Sequence, residues 1–234
     1  MKHAELRESV FEANMALGRA GLVVLTFGNA SAVDRDASVF AIKPSGVSYD
    51  RLTPAEIAVV DIESGAVVDG RMRPSSDTPT HLVLYRAWHD VGGIVHTHSS
   101  FATAWAQAGE EIPCYGTTHA DHFYGTVPVT RQLTAEEVEG EYERATGDVI
   151  VETFVRFGHE PLDMPAVLVA SHGPFTWGAS VQYAVDNAIA LEEVAAGALH
   201  TRQLRADVAP IGDHLRRRHF RRKHGPEAYY GQTR

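Results

Sequence analysis

Gly92-Gly93-Ile94-Val95-His96-Thr97-His98 is an apolar run that ends in two histidines two positions apart. Read as a buried strand, it sends successive side chains to opposite faces, so His96 and His98 project the same way. Two imidazoles on one face at a strand end make a bidentate metal grip. A second apolar run, Ala166-Val167-Leu168-Val169-Ala170, leads into Ser171-His172-Gly173 and offers a third imidazole. Three histidines at strand ends are the beginning of an open, catalytic metal site rather than a closed structural one. The competing reading is three hydrogen-bonded core histidines.

Working outward from these strands, the 234-residue chain reads as an alternation of short strands and helices without repeats or linkers. A helix is expected over residues 4–20, ended by Gly21. Strands follow at 30–33 and 39–42, and a hairpin at 58–62 and 66–68 around Glu63-Ser64-Gly65. Thr53-Pro54-Ala55-Glu56 and Thr134-Ala135-Glu136-Glu137 are capping boxes. The strand of the two histidines is expected over 94–98. Helices are expected over 79–88, 101–108, 135–145, 148–157, 181–204 and 211–224. Early strands close enough for hairpins and later ones separated by helices favour an α/β layered domain on a largely antiparallel or mixed sheet. The glycine-rich dinucleotide fingerprint, the phosphate-binding P-loop and the Gly-x-Ser-x-Gly elbow are all absent.

Composition fits a soluble globular protein, with 44% hydrophobic and 22% charged residues. No apolar stretch approaches the ~20 residues that span a bilayer, and the N-terminal stretch lacks a signal-peptide core. Cys114 is the only cysteine, so no intrachain disulfide can form; a cytoplasmic protein is expected. The net charge is −9, yet six of the 21 basic residues fall within residues 216–223. The other 15 face all 30 acidic residues, which argues against a general nucleic-acid surface. The basic run is then a solvated helix face, a nucleic-acid arm, or a tail that reaches an anionic ligand or a neighbouring subunit.

Three small-residue turns stand out: Gly28-Asn29, Pro44-Ser45-Gly46 and Pro74-Ser75-Ser76. Converging in space, their backbone N–H groups and hydroxyls would cradle a phosphate, helped by the dipole of the helix after Ser76. Asp77 either completes the metal shell or caps that helix. In His119-Ala120-Asp121-His122, Asp121 is a candidate acid/base, and the two histidines are candidate supporting groups. Tyr229-Tyr230 places two phenols near the C-terminus.

These segments together carry a resemblance. Leu25-Thr26-Phe27-Gly28-Asn29-Ala30-Ser31, Ile42-Lys43-Pro44-Ser45-Gly46-Val47 and Pro74-Ser75-Ser76-Asp77-Thr78-Pro79 occur in order with the His96 and His172 segments. Gly116-Thr117-Thr118-His119-Ala120-Asp121 and Tyr229-Tyr230-Gly231-Gln232 follow suit. Over nearly its whole length the chain resembles the L-ribulose-phosphate 4-epimerases of the class II sugar-phosphate aldolase/epimerase superfamily.

The resemblance implies a single domain over 1–234 with a class II aldolase-like layered fold, and a tail from about 211 that reaches the adjacent subunit of a homotetramer. It implies a divalent metal, Zn2+ first and Mn2+ or Co2+ as alternatives, on Asp77, His96, His98 and His172. It implies a phosphate pocket from Gly28, Asn29, Lys43, Ser45, Gly46, Ser75 and Ser76, with His219 and Arg222 approaching a neighbour's site. Asp121 and Tyr230 become the acid/base pair, Tyr230 arriving from the adjacent subunit. Phe27 stands where the family carries tryptophan, and His122 where it carries tyrosine.

The implied substrate is a phosphorylated pentulose, such as arabinose catabolism supplies, and the implied reaction interconverts L-ribulose 5-phosphate and D-xylulose 5-phosphate. C4 is not acidic, so its inversion proceeds by retro-aldol cleavage of C3–C4 and re-addition to the other aldehyde face. Sister aldolases carry a basic glutamate after the Ser-Ser turn. Asp77 is one methylene shorter and suits a ligand better, which favours the epimerase. The superfamily's cytoskeletal adducin heads are expected to lack the histidines present here.

Overall fold

A computed structural model describes residues 2–225, 228 and 229. Among them a seven-stranded antiparallel sheet runs in the order β4-β3-β2-β1-β5-β7-β6. The strands are β1 (Asn29–Asp34), β2 (Val39–Ile42), β3 (Ala58–Asp61), β4 (Val67–Asp69), β5 (Gly93–His96), β6 (Ala166–Val169) and β7 (Gly173–Gly178). Eight helices accompany them: α1 (Ala4–Arg19), α2 (Thr78–Ala87), α3 (Ser100–Ala108), α4 (Thr117–Ala120), α5 (Ala135–Glu139), α6 (Tyr142–Phe157), α7 (Val181–Leu204) and α8 (Asp213–Lys223). None of the described helices is long and apolar enough to cross a membrane.

The sheet is covered on both faces because its strands alternate two kinds of apolar side chain. Ala30, Ala32, Val39, Ala41, Val59 and Val95 face one way, where Val10, Ala13 and Leu17 of α1 meet the start of α7. Phe40, Ile42, Val60 and Ile94 face the other way, into a larger core with Leu84 and Tyr85 of α2, Trp105 of α3 and Phe154 of α6. The small alanines of the first face let α1 lie close, and the positions spaced three and four apart on α1 give it its apolar stripe. Buried Asn14 of α1 also bonds both backbone groups of Ala30, at 2.9 and 3.2 Å. β2 pairs with β1 from Ser31 to Asp34 and stops short of Ala30, so Asn14 serves the strand just where that pairing ends.

The expected antiparallel layered α/β fold is therefore present, as is the 58–69 hairpin. Three differences from expectation bear on the site. β5 ends at His96 rather than His98. β7 is not among the expected strands; it lies between β5 and β6 and joins the two histidine-bearing strands. Its sequence, Gly-Pro-Phe-Thr-Trp-Gly, has no alternation because all six positions are buried. The helical break falls at Gly140 rather than near Gly147. Gly147 instead sits inside α6, where an added Cβ would stand 2.7 Å from Val83 Cβ of α2. It is a close-packing glycine, not a helix stop.

Candidate metal centre and its cleft

His96 is the last residue of β5, and β7 fixes its ring. Nδ1 donates to the Pro174 carbonyl at 2.9 Å, and the ring stacks on Phe175 at 4.2 Å between centroids. That bond places the proton on Nδ1 and leaves the Nε2 lone pair free. His98 brings its own Nε2 to 3.1 Å from that of His96. The two rings converge although Thr97 and His98 have left the strand. His172 follows Ser171, which holds a left-handed backbone with φ of 60° and takes a hydrogen bond from Gln132 at 2.9 Å. Ring nitrogens of all three histidines lie within 4.8 Å of one another.

The donor chemistry of this group fits a divalent metal ion. Burial, reinforced by the neighbouring imidazoles, drives the His172 pKa down to about 3 and lowers that of His98. Both rings therefore stay neutral near pH 7 and keep their lone pairs, the state a metal requires.

Asp77 precedes the first residue of α2, where a carboxylate ordinarily caps the helix. Its side chain makes no capping bond. It turns into the cleft, where Oδ2 accepts from Asn29 Nδ2 at 2.6 Å and from Ser75 Oγ at 3.5 Å. Burial pushes this carboxyl up, but its electrostatic interaction with the His96 and His81 rings and the Asn29 bond outweigh it and hold its pKa below the usual range. Asp77 lines the cleft with the histidines while lying outside their tight trio.

The same cleft, about 370 Å³, has a second wall made of Gly28, Asn29, Lys43, Ser45, Gly46, Ser75 and Ser76. Pro44 and Pro74 form an isolated bridge, and the Ser45 and Ser75 amides bond to the facing chain at 3.0 Å. The two serine turns are thus held side by side. Gly28 has φ of 80°, and a Cβ there would lie 2.9 Å from the His96 carbonyl, so only glycine fits. Lys43 is almost fully buried, donates to the Thr26 carbonyl at 3.2 Å and lies over the Tyr49 ring at 4.8 Å. Its burial lowers the pKa to about 8. Backbone amides, hydroxyls and one buried cation on a single wall form an anion cradle next to the imidazoles.

Asp121 does not line this cleft. It sits at the end of α4 and is gripped by α8 of its own chain. Arg222 donates from Nε to Oδ1 at 2.8 Å and from a second nitrogen to Oδ2, and His219 Nδ1 stands 3.1 Å from Oδ1. Burial raises this carboxyl, but those bonds and the Arg222 charge hold it ionised. His119 is tied to the Gly125 carbonyl at 2.7 Å and His122 to Asn187 at 3.2 Å, so neither is a spare ligand of the trio. Tyr230 lies outside the described residues. Tyr142 and Glu143 line the cleft and were missed. The misplaced helix break hid them, because their position at the start of α6 is what presents them.

Comparisons place this geometry among known proteins. Residues 8–199 match the family model described as the class II aldolase and adducin N-terminal domain. The chain is 54% identical over 228 residues to proteins named L-ribulose-5-phosphate 4-epimerase UlaF from Salmonella paratyphi A and Salmonella typhi, covering 97% of this chain and 99% of theirs. Among solved structures it superposes on an L-fuculose 1-phosphate aldolase with a TM-score of 0.79 at 23% identity, covering 95% of this chain and 97% of that one. It also superposes on YgbL of Klebsiella pneumoniae, a putative aldolase/epimerase/decarboxylase, with a TM-score of 0.73 at 23% identity, covering 93% and 99%. These two likenesses bear on the fold.

Proposed function

Since the chain belongs to the class II aldolase and adducin N-terminal domain family, we propose that it is a metal-dependent sugar-phosphate epimerase that interconverts L-ribulose 5-phosphate and D-xylulose 5-phosphate. The observation that carries the chemistry is the meeting of the imidazole trio and the anion cradle in one cleft. The likeness to 4-epimerases over nearly the whole chain supports the choice of substrate.

His96, His98 and His172, with Asp77, would hold the ion, and three nitrogens plus a carboxylate suit Zn2+, Mn2+ or Co2+. A bound divalent ion would supply Lewis-acid stabilisation of negative charge on the ketose oxygens. The chain's own groups do the rest. Lys43, Ser45, Gly46, Ser75 and Ser76 grip the phosphate. They must keep the glycolaldehyde phosphate in place after C3–C4 cleavage while its aldehyde turns to the other face. A leak at this stage would make the protein an aldolase.

Re-addition to the opposite face needs one group to take the C4 hydroxyl proton and another, across the substrate, to return one. Asp121 and Tyr230 are assigned these roles. Asp121 lies outside the cleft of its own chain, which supports a site completed between subunits, with Tyr230 and the α8 residues His219 and Arg222 approaching a neighbour's cleft. A homotetramer of single-domain chains, each with its tail from about 211 reaching the next, meets that need.

The deciding experiment incubates metal-loaded protein with L-ribulose 5-phosphate and follows D-xylulose 5-phosphate and glycolaldehyde phosphate together. Xylulose phosphate without free aldehyde is expected. Free aldehyde with dihydroxyacetone would replace the epimerase by an aldolase, and no turnover would overturn the substrate assignment.

A further inference from the structure

β1 and α2 run past each other with matched repeats. Two residues of strand advance about 6.6 Å and one helical step of four residues about 6 Å. Asn29 meets Asp77, and Ser31 meets His81 and then Tyr85, each one turn farther along α2. Ser31 Oγ stands 2.7 Å from His81 Nδ1 and 2.7 Å from the Tyr85 hydroxyl, and none of the three residues is exposed to solvent. No step of the proposed reaction uses them.

The directions of these two bonds follow from counting protons. Burial holds the Tyr85 phenol in its protonated form and its oxygen accepts from the Ile94 amide, so Ser31 Oγ is the acceptor within reach of its proton. Tyr85 therefore donates to Ser31, and Ser31 donates to His81 Nδ1. The imidazole then carries its proton on Nε2. That Nε2 is buried and has no hydrogen-bond partner among the described residues, and neither has Asn29 Oδ1. An idle donor and an idle acceptor are thus buried on two residues that both act on the Asp77 carboxylate, His81 through its electrostatic interaction and Asn29 through its bond. Asp77 lies four residues before His81 on one face of the helix, the His81 amide bonds the Asp77 carbonyl at 3.0 Å, and Asn29 Nδ2 holds Asp77 Oδ2.

We propose that His81 is a positioning residue of the metal centre, held by Tyr85 and Ser31 in the tautomer whose Nε2–H serves the Asn29–Asp77 pair. With Asn29 Oδ1 engaged through one buried water, the amide cannot flip. Its N–H stays on Asp77, and the carboxylate stays in the cleft. The polar ladder between β1 and α2 is then a support that reaches from the core to the metal ligands.

The inference rests on the metal-centre reading, and its test separates the two. Metal-free protein is titrated with Co2+ and read by visible absorption, with thermal unfolding measured in parallel. His81→Asn removes the Nε2 donor and is expected to weaken Co2+ binding about 10- to 100-fold and alter the absorption band. His81→Gln, whose amide nitrogen reaches the Nε2 position, is expected to restore most of the loss. Tyr85→Phe removes only the hydroxyl, and is expected to weaken binding in the same direction. It decides the matter if the His81 variants do not fold. Unchanged affinity and spectrum in His81→Asn or Tyr85→Phe would overturn the proposal. So would equal weakening in the Asn and Gln variants, which would make His81 a core filler. A wild-type protein that takes up no Co2+ would overturn the metal centre itself.

Discussion

Asn29 Nδ2 stands 2.6 Å from Asp77 Oδ2 and 3.1 Å from Ser75 Oγ. One amide thereby ties a residue of the metal wall to a residue of the anion cradle. Asn29 can do this because it opens β1, opposite His96 in the sheet register. The two halves of the cleft are consequently a single hydrogen-bonded unit, and disturbing one should be felt in the other.

Removal of the ion should destabilise the fold. Ligand that binds only the native state adds about 2.7 kcal/mol at a hundredfold excess over Kd, and a chain of this size shifts by roughly 2–4 °C per kcal/mol. Treatment with a chelator is expected to lower Tm by about 5–10 °C, with recovery on adding Zn2+ or Co2+. His96→Asn should abolish metal binding and show the chelated Tm without chelator. A His96→Asn protein that retains metal and rate would dismantle the proposed site.

Gly28→Ala tests the contact between cradle and metal strand. The new Cβ would meet the His96 carbonyl at 2.9 Å and Val23 Cγ1 at 3.0 Å, on a backbone at φ 80°. A strained left-handed residue costs about 1–3 kcal/mol, so calorimetry should show a Tm lower by roughly 2–12 °C. Inorganic phosphate and Co2+ should both bind more weakly, because the displaced carbonyl belongs to His96, a proposed metal ligand. Loss of phosphate affinity alone would show that the two walls move independently.

Lys43 gives the site a pH dependence with a definite sign. Its pKa falls from 10.5 to about 8 through burial. Phosphate favours the charged ammonium, so substrate affinity should be greatest below pH 8 and decline as pH rises through it. Folding responds oppositely between about 8 and 10.5, because the unfolded chain holds a proton there that the folded one has released; stability from this residue grows with pH. Lys43→Gln should raise KM at pH 7 by about 10- to 100-fold, the loss of a charged hydrogen bond, and flatten the profile of KM above pH 7.

Much of this was legible from the chain because periodicity and spacing carry it. Ile94 and Val95 face two different cores, and the apolar run they make marked the strand, though not its end at His96. The serine turns were legible as turns, but their pairing through Pro44 and Pro74 is a tertiary fact. β7 was not legible, since a strand buried on both faces and bounded by glycines shows no period of two. Gly140 and Gly147 look alike in sequence; only the contact with Val83 tells the helix-packing glycine from the helix stop. The grip of Arg222 on Asp121 spans 101 residues, beyond any local pattern.

The C-terminal segment supplies the sharpest test of the acid–base assignment. Deletion of everything after Gly225 removes Tyr230 while leaving the imidazole trio, the cradle and the Arg222–Asp121 contact in place. Loss of a general acid/base lowers turnover by about 10²–10⁴, whereas loss of a phosphate contact appears mainly in KM. The truncated protein is therefore expected to lose kcat by that order, to keep Co2+ affinity, and to change KM little. Asp121→Asn should lower kcat similarly, and in combination with the deletion the two losses should fall short of multiplying, because a proton that enters at one group must leave at the other. Full activity of the truncation would remove Tyr230 from the reaction and leave Asp121 without its counterpart.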